Sequence, residues 1–224
     1  NKIYFTMKKS LLSFAIIALI SFTSCKKEAS EDTTKTDETS EAIASGSYTV
    51  ATANSVIEWV GSKPAGKHTG TISLSDGSFN VTEGKVTGGN FTIAMNSIAV
   101  TDLEGEEKMN LETHLKGTGD KESEDHFFNV VKHPTGNFKM LSAELESGHY
   151  FVKGILTLKG ISKEVNFSSE IIMTDTEIKL ISDPFKINRT LWNINYASKS
   201  IFDDLKDKFI DDEIELVVKV TAKK

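Results

Sequence analysis

The chain of 224 residues carries one cysteine, Cys25, so it has no internal disulfide and no Cys-rich zinc module. Three prolines against fifteen glycines exclude a Pro-rich or collagen-like chain. Arginine occurs once, at Arg189, and the formal net charge is −6, so the basic footprint of a nucleic-acid binder is missing. The longest apolar run, residues 11–22, is shorter than the roughly 20 residues that span a bilayer core. Motifs for covalent chemistry are missing as well. There is no Gly-x-Ser-x-Gly elbow. Gly88-Gly89 and Gly117-Thr118-Gly119 lack the context of phosphate loops, and no H-E-x-x-H spacing joins His68, His114, His126, His133 and His149. The reading is therefore of a protein that is not an enzyme and needs no metal or cofactor.

The first residues address the chain rather than fold it. Asn1 to Thr6 precede Met7, which is read as the start; Lys8-Lys9, the apolar run and Thr23-Ser24-Cys25 follow. This is a signal peptide over residues 1–24, and it resembles a bacterial lipoprotein signal whose cysteine becomes the lipidated first residue. The alternative is a plain secretory signal beside a free thiol. Residues 26–45 hold three lysines, six acids and no aromatic side chain, too little apolar area to offset chain entropy, and read as a tether. Lys26-Lys27-Glu28 resembles the export signal of surface lipoproteins in Bacteroidetes. Loss of residues 1–24 removes three lysines and no acid, taking the net charge to −9, which disfavours docking on anionic lipid heads.

From residue 46 to 224 the dominant signal is a period of two. Val165, Phe167, Ser169 and Ile171 alternate with Glu164, Asn166, Ser168 and Glu170, and Ile214, Leu216, Val218 and Val220 alternate with Glu213, Glu215, Lys219 and Thr221. Similar strands are expected at 56–63, 68–74, 86–98, 138–145, 150–158 and 178–187. Asp76-Gly77, Glu83-Gly84, Ser147-Gly148 and Lys159-Gly160 mark turns between them. Eight or more short strands define an all-β chain, an antiparallel barrel or a sandwich. Two segments break the pattern: residues 103–131 predict one or two short helices, and in residues 200–209 Ile201, Phe202, Leu205 and Phe209 recur at helical spacing. Several strands are apolar on both faces, which fits either packing under helices or a barrel hollowed for a hydrophobic guest.

A set of segments then appears in order: Val56-Ile57-Glu58-Trp59, Lys63-Pro64, His68-Thr69-Gly70, Gly77 with Phe79, His114-Leu115-Lys116, Phe127-Phe128, His133-Pro134-Thr135, Phe138, Gly154 to Ile161, and Ile187-Asn188-Arg189-Thr190 with Trp192. Together they resemble the YceI family of polyisoprenoid-binding, lipocalin-like proteins. The resemblance covers residues 47–222. It implies an extended eight-stranded antiparallel barrel with helical cover and an apolar tunnel for an isoprenoid chain, in an exported envelope protein. Residues 117–125 make a longer link than that family pattern leads one to expect.

On this reading the candidate tunnel lining is Trp59, Ile72, Phe79, Phe91, Ile93, Phe138, Ile155, Phe167 and Trp192. His68 and Arg189 are the candidates for a ligand head group; for each of these residues a solid core or a structural role stays open. Arg189, alone among twenty-five lysines, could instead brace the fold against Asp183 or another carboxylate. Expected partners are a lipid ligand and, through Cys25, a membrane; an isologous homodimer is the base-rate expectation for such barrels.

Overall fold

The computed structural model describes residues 45–119 and 125–224. Cys25, the apolar run, the tether and residues 120–124 of the long link lie outside the described residues. The described residues all fall within one compact unit.

The strands are β1 (Gly46–Val50), β2 (Val56–Lys63), β3 (Gly66–Thr82), β4 (Lys85–Ala94), β5 (Ala99–Val100), β6 (Thr135–Glu146), β7 (His149–Leu158), β8 (Ile161–Met173), β9 (Glu177–Ser182), β10 (Phe185–Asn188) and β11 (Glu213–Lys223). Among the described residues one α-helix, α1 (Gly105–Lys116), lies between β5 and β6. The ring runs β2-β3-β4-β6-β7-β8-β9-β11 and returns to β2, every pairing antiparallel. It is the expected eight-stranded barrel, and its closure removes the free edges an open sheet would present. Glu83-Gly84, Ser147-Gly148 and Lys159-Gly160 all have positive φ, from 48° to 90°. Two consecutive left-handed residues make the type I′ turn whose twist suits a hairpin.

Three expectations need correction. Asp76-Gly77 is not a turn: β3 runs through it, with a bulge between Leu74 and Asp76. The strand expected at 178–187 is split into β9 and β10 at Asp183-Pro184, because proline brings no N–H to the ladder. There the Val218 N–H donates instead to the Ser182 hydroxyl at 2.8 Å. The helix expected around residue 201 does not form, and only Lys206–Lys208 makes a short 3-10 turn. Ile201 and Phe202 are each 47% exposed, so the apolar stripe has no surface to pack on, and packing is what stabilises short helices.

Registers define two ends. Turns β3–β4, β6–β7 and β8–β9, with the start of β1, gather at one end; turns β2–β3 and β7–β8, α1, β10 and the start of β11 gather at the other. The first end is closed. Tyr48, Val152, Ile178 and Ala222 are fully buried there, and the Tyr48 hydroxyl donates to the Thr174 carbonyl at 3.0 Å.

Candidate functional site: an apolar cavity under a polar rim

Above that plug the barrel is hollow. A cavity of about 320 Å³ extends upward to α1 and to Phe127 and Phe128. Several inward-facing side chains, among them Ile72, Phe138, Leu216 and Val218, stay half-exposed because they border this space.

Its wall is built on glycines. A Cβ at Gly70 would collide with the Trp59 indole on the neighbouring strand, and one at Gly154 with the Phe138 ring. A strand glycine here marks a close approach: each lets an aromatic ring lie flat across the next strand. From Phe138 the rings form a belt. Phe79–Phe91 centroids are 4.9 Å apart, Phe91–Phe138 6.4 Å, Phe138–Phe167 5.8 Å, and Phe167–Phe185 4.6 Å in a stacked pair. Five strands thus supply one continuous apolar band inside the barrel.

The polar lining lies at the opposite end from the plug: Ser62, Lys63, His68, His114, Arg189 and Asp211. The His68 ring sits 2.9 Å from Asp102, which also accepts the Thr69 N–H at 2.9 Å. Burial opposes ionisation of Asp102, but the Thr69 N–H and His68 outweigh it and hold the carboxyl below its ordinary range. Arg189 is 1% exposed. Its guanidinium donates to the carbonyls of Asp211 (3.0 Å), Ile210 (2.9 Å) and Ile194, and it lies 3.6 Å from Asp212. Burial pushes this guanidinium down, against the pull of Asp212 and Asp211. The carboxylate beside Arg189 is therefore Asp212; Asp183 lies 3.6 Å from His149 instead.

The roof is held from both sides. Gly117 (φ 66°) ends α1, and a Cβ there would strike the His126 carbonyl, so glycine lets the chain fold back over the barrel. Phe128 N–H then bonds the Leu115 carbonyl at 3.2 Å and Val130 N–H the Lys116 carbonyl at 2.9 Å. Lys159, its side chain 3% exposed, donates to the carbonyls of Asp125 and Phe127 at 2.9 Å and of Asn193 at 3.4 Å, and pairs with the Asp125 carboxylate at 3.2 Å. His114 and His126 nitrogens lie 3.2 Å apart, with Tyr196 against both rings. Among the described residues, no group of three metal-ligating side chains converges.

Of the residues singled out as lining, Trp59, Ile72, Phe79, Phe91, Ile93, Phe138 and Phe167 border the cavity. Ile155 and Trp192 do not. Ile155 shares the other face of β7 with Lys153 and Thr157, while Val152, Gly154, Leu156 and Leu158 point inward. Trp192 is buried, its indole N–H donating to the Leu156 carbonyl at 3.2 Å. His68 and Arg189 both reach the rim end of the cavity. Sequence reasoning passed over Leu156, Leu216 and Val218 as lining, although the alternation of β7 and β11 marks their face.

These features define a lipocalin-like barrel with an apolar cavity. The chain matches the model of the YceI-like domain over residues 48–222 and belongs to that family. The structure of BcnA from Burkholderia cenocepacia is similar, at 18% identity and TM-score 0.60, over 77% of this chain and 99% of that one. A polyisoprenoid binding domain from Saccharophagus degradans, implicated in plant cell wall breakdown, superposes with TM-score 0.59 at 14% identity, over 79% of this chain and 97% of that one. Comparison with curated proteins finds no match. At these identities the likeness establishes the fold. No helix among the described residues is long and apolar enough to cross a membrane.

Proposed function

We propose that the barrel binds one chain-like amphiphile, an isoprenoid or similar lipid, with its tail against the phenylalanine belt and its polar group at the rim. The observation that carries this is the segregation of the lining: apolar side chains from the plug upward, and Ser62, Lys63, His68, His114 and Asp211 gathered at the far end. Each buried methylene contributes about 0.8 kcal/mol. Five carbons per isoprene unit give roughly 4 kcal/mol before the cost of ordering the chain. A volume of about 320 Å³ is at the small end for ligand sites, roughly 300–1000 Å³. A long prenyl chain therefore extends past the rim or displaces the roof.

The head group meets His68. Arg189 acts mainly by fixing the loops of Ile194 and Ile210, since three of its N–H groups are engaged there. The role is sequestration or carriage rather than catalysis. His68 and Asp102 resemble a base with its orienting acid, but among the described residues no hydroxyl or thiol hydrogen-bonds the His68 ring. Lipidation of Cys25 would hold the carrier at the cell envelope, on the outer membrane, facing the periplasm or the cell surface. Labelled palmitate entering the protein, and not its Cys25→Ser variant, is the expected result.

The cavity also weighs against the rival reading, an envelope stress or interaction protein with a solid core. Titration with geranylgeraniol decides between them. In a Trp192→Phe background, emission from Trp59 on the cavity wall should change saturably with one equivalent. A linear, unsaturated response would mean nonspecific partition and would remove the binding claim.

A further inference from the structure

Large apolar side chains left in solvent are not spread evenly over this barrel. Ten are exposed. Four, Leu141, Leu145, Ile172 and Ile181, are scattered on the outer faces of β6, β8 and β9. The other six, Met109, Val131, Leu191, Tyr196, Ile201 and Phe202, belong to α1 and the loops of the rim end. Most of these segments connect directly to the cavity lining. The Tyr196 ring lies 4.6 Å from that of His114, which borders the cavity. Ile201 and Phe202 donate their N–H groups to Ser198, which bridges to Ile210, another lining residue. Lys159 ties the segment before Val131 to Asn193, two residues from Leu191.

We infer that the rim end docks on a lipid bilayer, seating Leu191, Tyr196, Ile201 and Phe202 in the interface so that an amphiphile passes between hydrocarbon and cavity without crossing water. The inference rests on the lipid-binding reading above. It commits to a bilayer because these exposed apolar side chains stand on the loops around the polar rim, the end of the cavity at which a lipid would leave. Local charge points to the kind of bilayer. Residues 199–208 carry Lys199, Lys206 and Lys208 against Asp203, Asp204 and Asp207, so this loop favours a zwitterionic surface over an anionic one. Interfacial binding of this kind scales with the apolar area inserted.

The test uses the chain from residue 25 with Cys25→Ser, so that neither the N-terminal apolar run nor an attached lipid contributes. It is loaded with dansyl-labelled geranylgeraniol and mixed with phosphatidylcholine vesicles. The transfer rate should rise in proportion to vesicle concentration, as contact-mediated transfer requires. Ile201→Glu with Phe202→Glu should slow it by at least about tenfold, because charge replaces inserted apolar area. Leu145→Glu, on the outer wall, should leave it unchanged. A rate independent of vesicle concentration, or unaltered by the double substitution, overturns the docking face while the carrier reading stands. Self-association that the same substitutions abolish, without vesicle binding, makes the rim an interface between copies and also overturns it. Failure to hold the probe saturably, in the wild-type rim, overturns the carrier reading itself.

Discussion

Enlarging the same residue at two depths of the barrel gives opposite signs if the core is hollow above and solid below. Val218 on β11 borders the cavity, whereas Val152 on β7 is fully buried outside it. Val152→Phe forces a ring into closed packing and should cost about 1–3 kcal/mol. Val218→Phe places the ring in a space of about 320 Å³. A ring adds roughly four carbons, at most about 3 kcal/mol of burial at 0.8 kcal/mol each. Less than that is realised, since the new rotamer freedom is lost and part of the surface was already covered. The expected net is a stabilisation of about 0–2 kcal/mol. Urea unfolding followed by emission of Trp59 and Trp192 measures both. The same Val218→Phe protein should bind geranylgeraniol more weakly, because ring and ligand compete for one volume. If Val218→Phe destabilises as much as Val152→Phe does, the upper barrel is packed and the argument fails.

Three further outcomes follow from the site. Lys159→Met should loosen the roof, costing about 2–3 kcal/mol because a charged donor with three carbonyl partners is lost; hydrogen exchange at Phe128 and Val130 should accelerate, and unchanged protection there would contradict the latch. Gly70→Ala should displace the Trp59 indole, read as an altered near-UV circular dichroism spectrum and weakened ligand binding, whereas a wild-type spectrum would show that the close approach is not real. Asp212 is a pH-sensitive group of the 189–212 loops. Burial opposes its ionisation, but the hydroxyls of Ser198 and Ser200, with Arg189 and Lys199, outweigh it and lower its carboxyl. A depressed folded value means stability that is complete above the unfolded Asp value of about 3.9 and is lost as pH falls through the lower folded one. Asp212→Asn should flatten that acid-side loss; an unchanged slope below pH ~4 would assign it to other carboxylates.

The barrel was legible because alternation is a local property. β8 announces its inward face residue by residue through Val165, Phe167, Ser169 and Ile171, and Gly84, Gly148 and Gly160 announce the hairpins between strands. Asp76-Gly77 misleads because a bulge inside a long strand uses the same residue types as a turn. The segment around Ile201 misleads because helical spacing says nothing about whether a surface exists to receive the stripe. Within the site, the aromatic residues stand out by type, but inside and outside are settled only by register. Ile155 looked like lining until its flanking Lys153 and Thr157 are counted on its face. The partners of Arg189 were illegible, since Ile194, Ile210 and Asp211 reach it through loops whose course no local pattern specifies.

The central claim is that one amphiphile occupies the phenylalanine-belted cavity, and native mass spectrometry of the protein purified from its own host without detergent tests it most directly. The account predicts a dominant adduct of one lipid per chain, released into organic solvent as a prenyl-chain or similar amphiphile, and diminished in the Val218→Phe protein. A chain that flies empty, yields no stoichiometric lipid and takes up no added geranylgeraniol would contradict it.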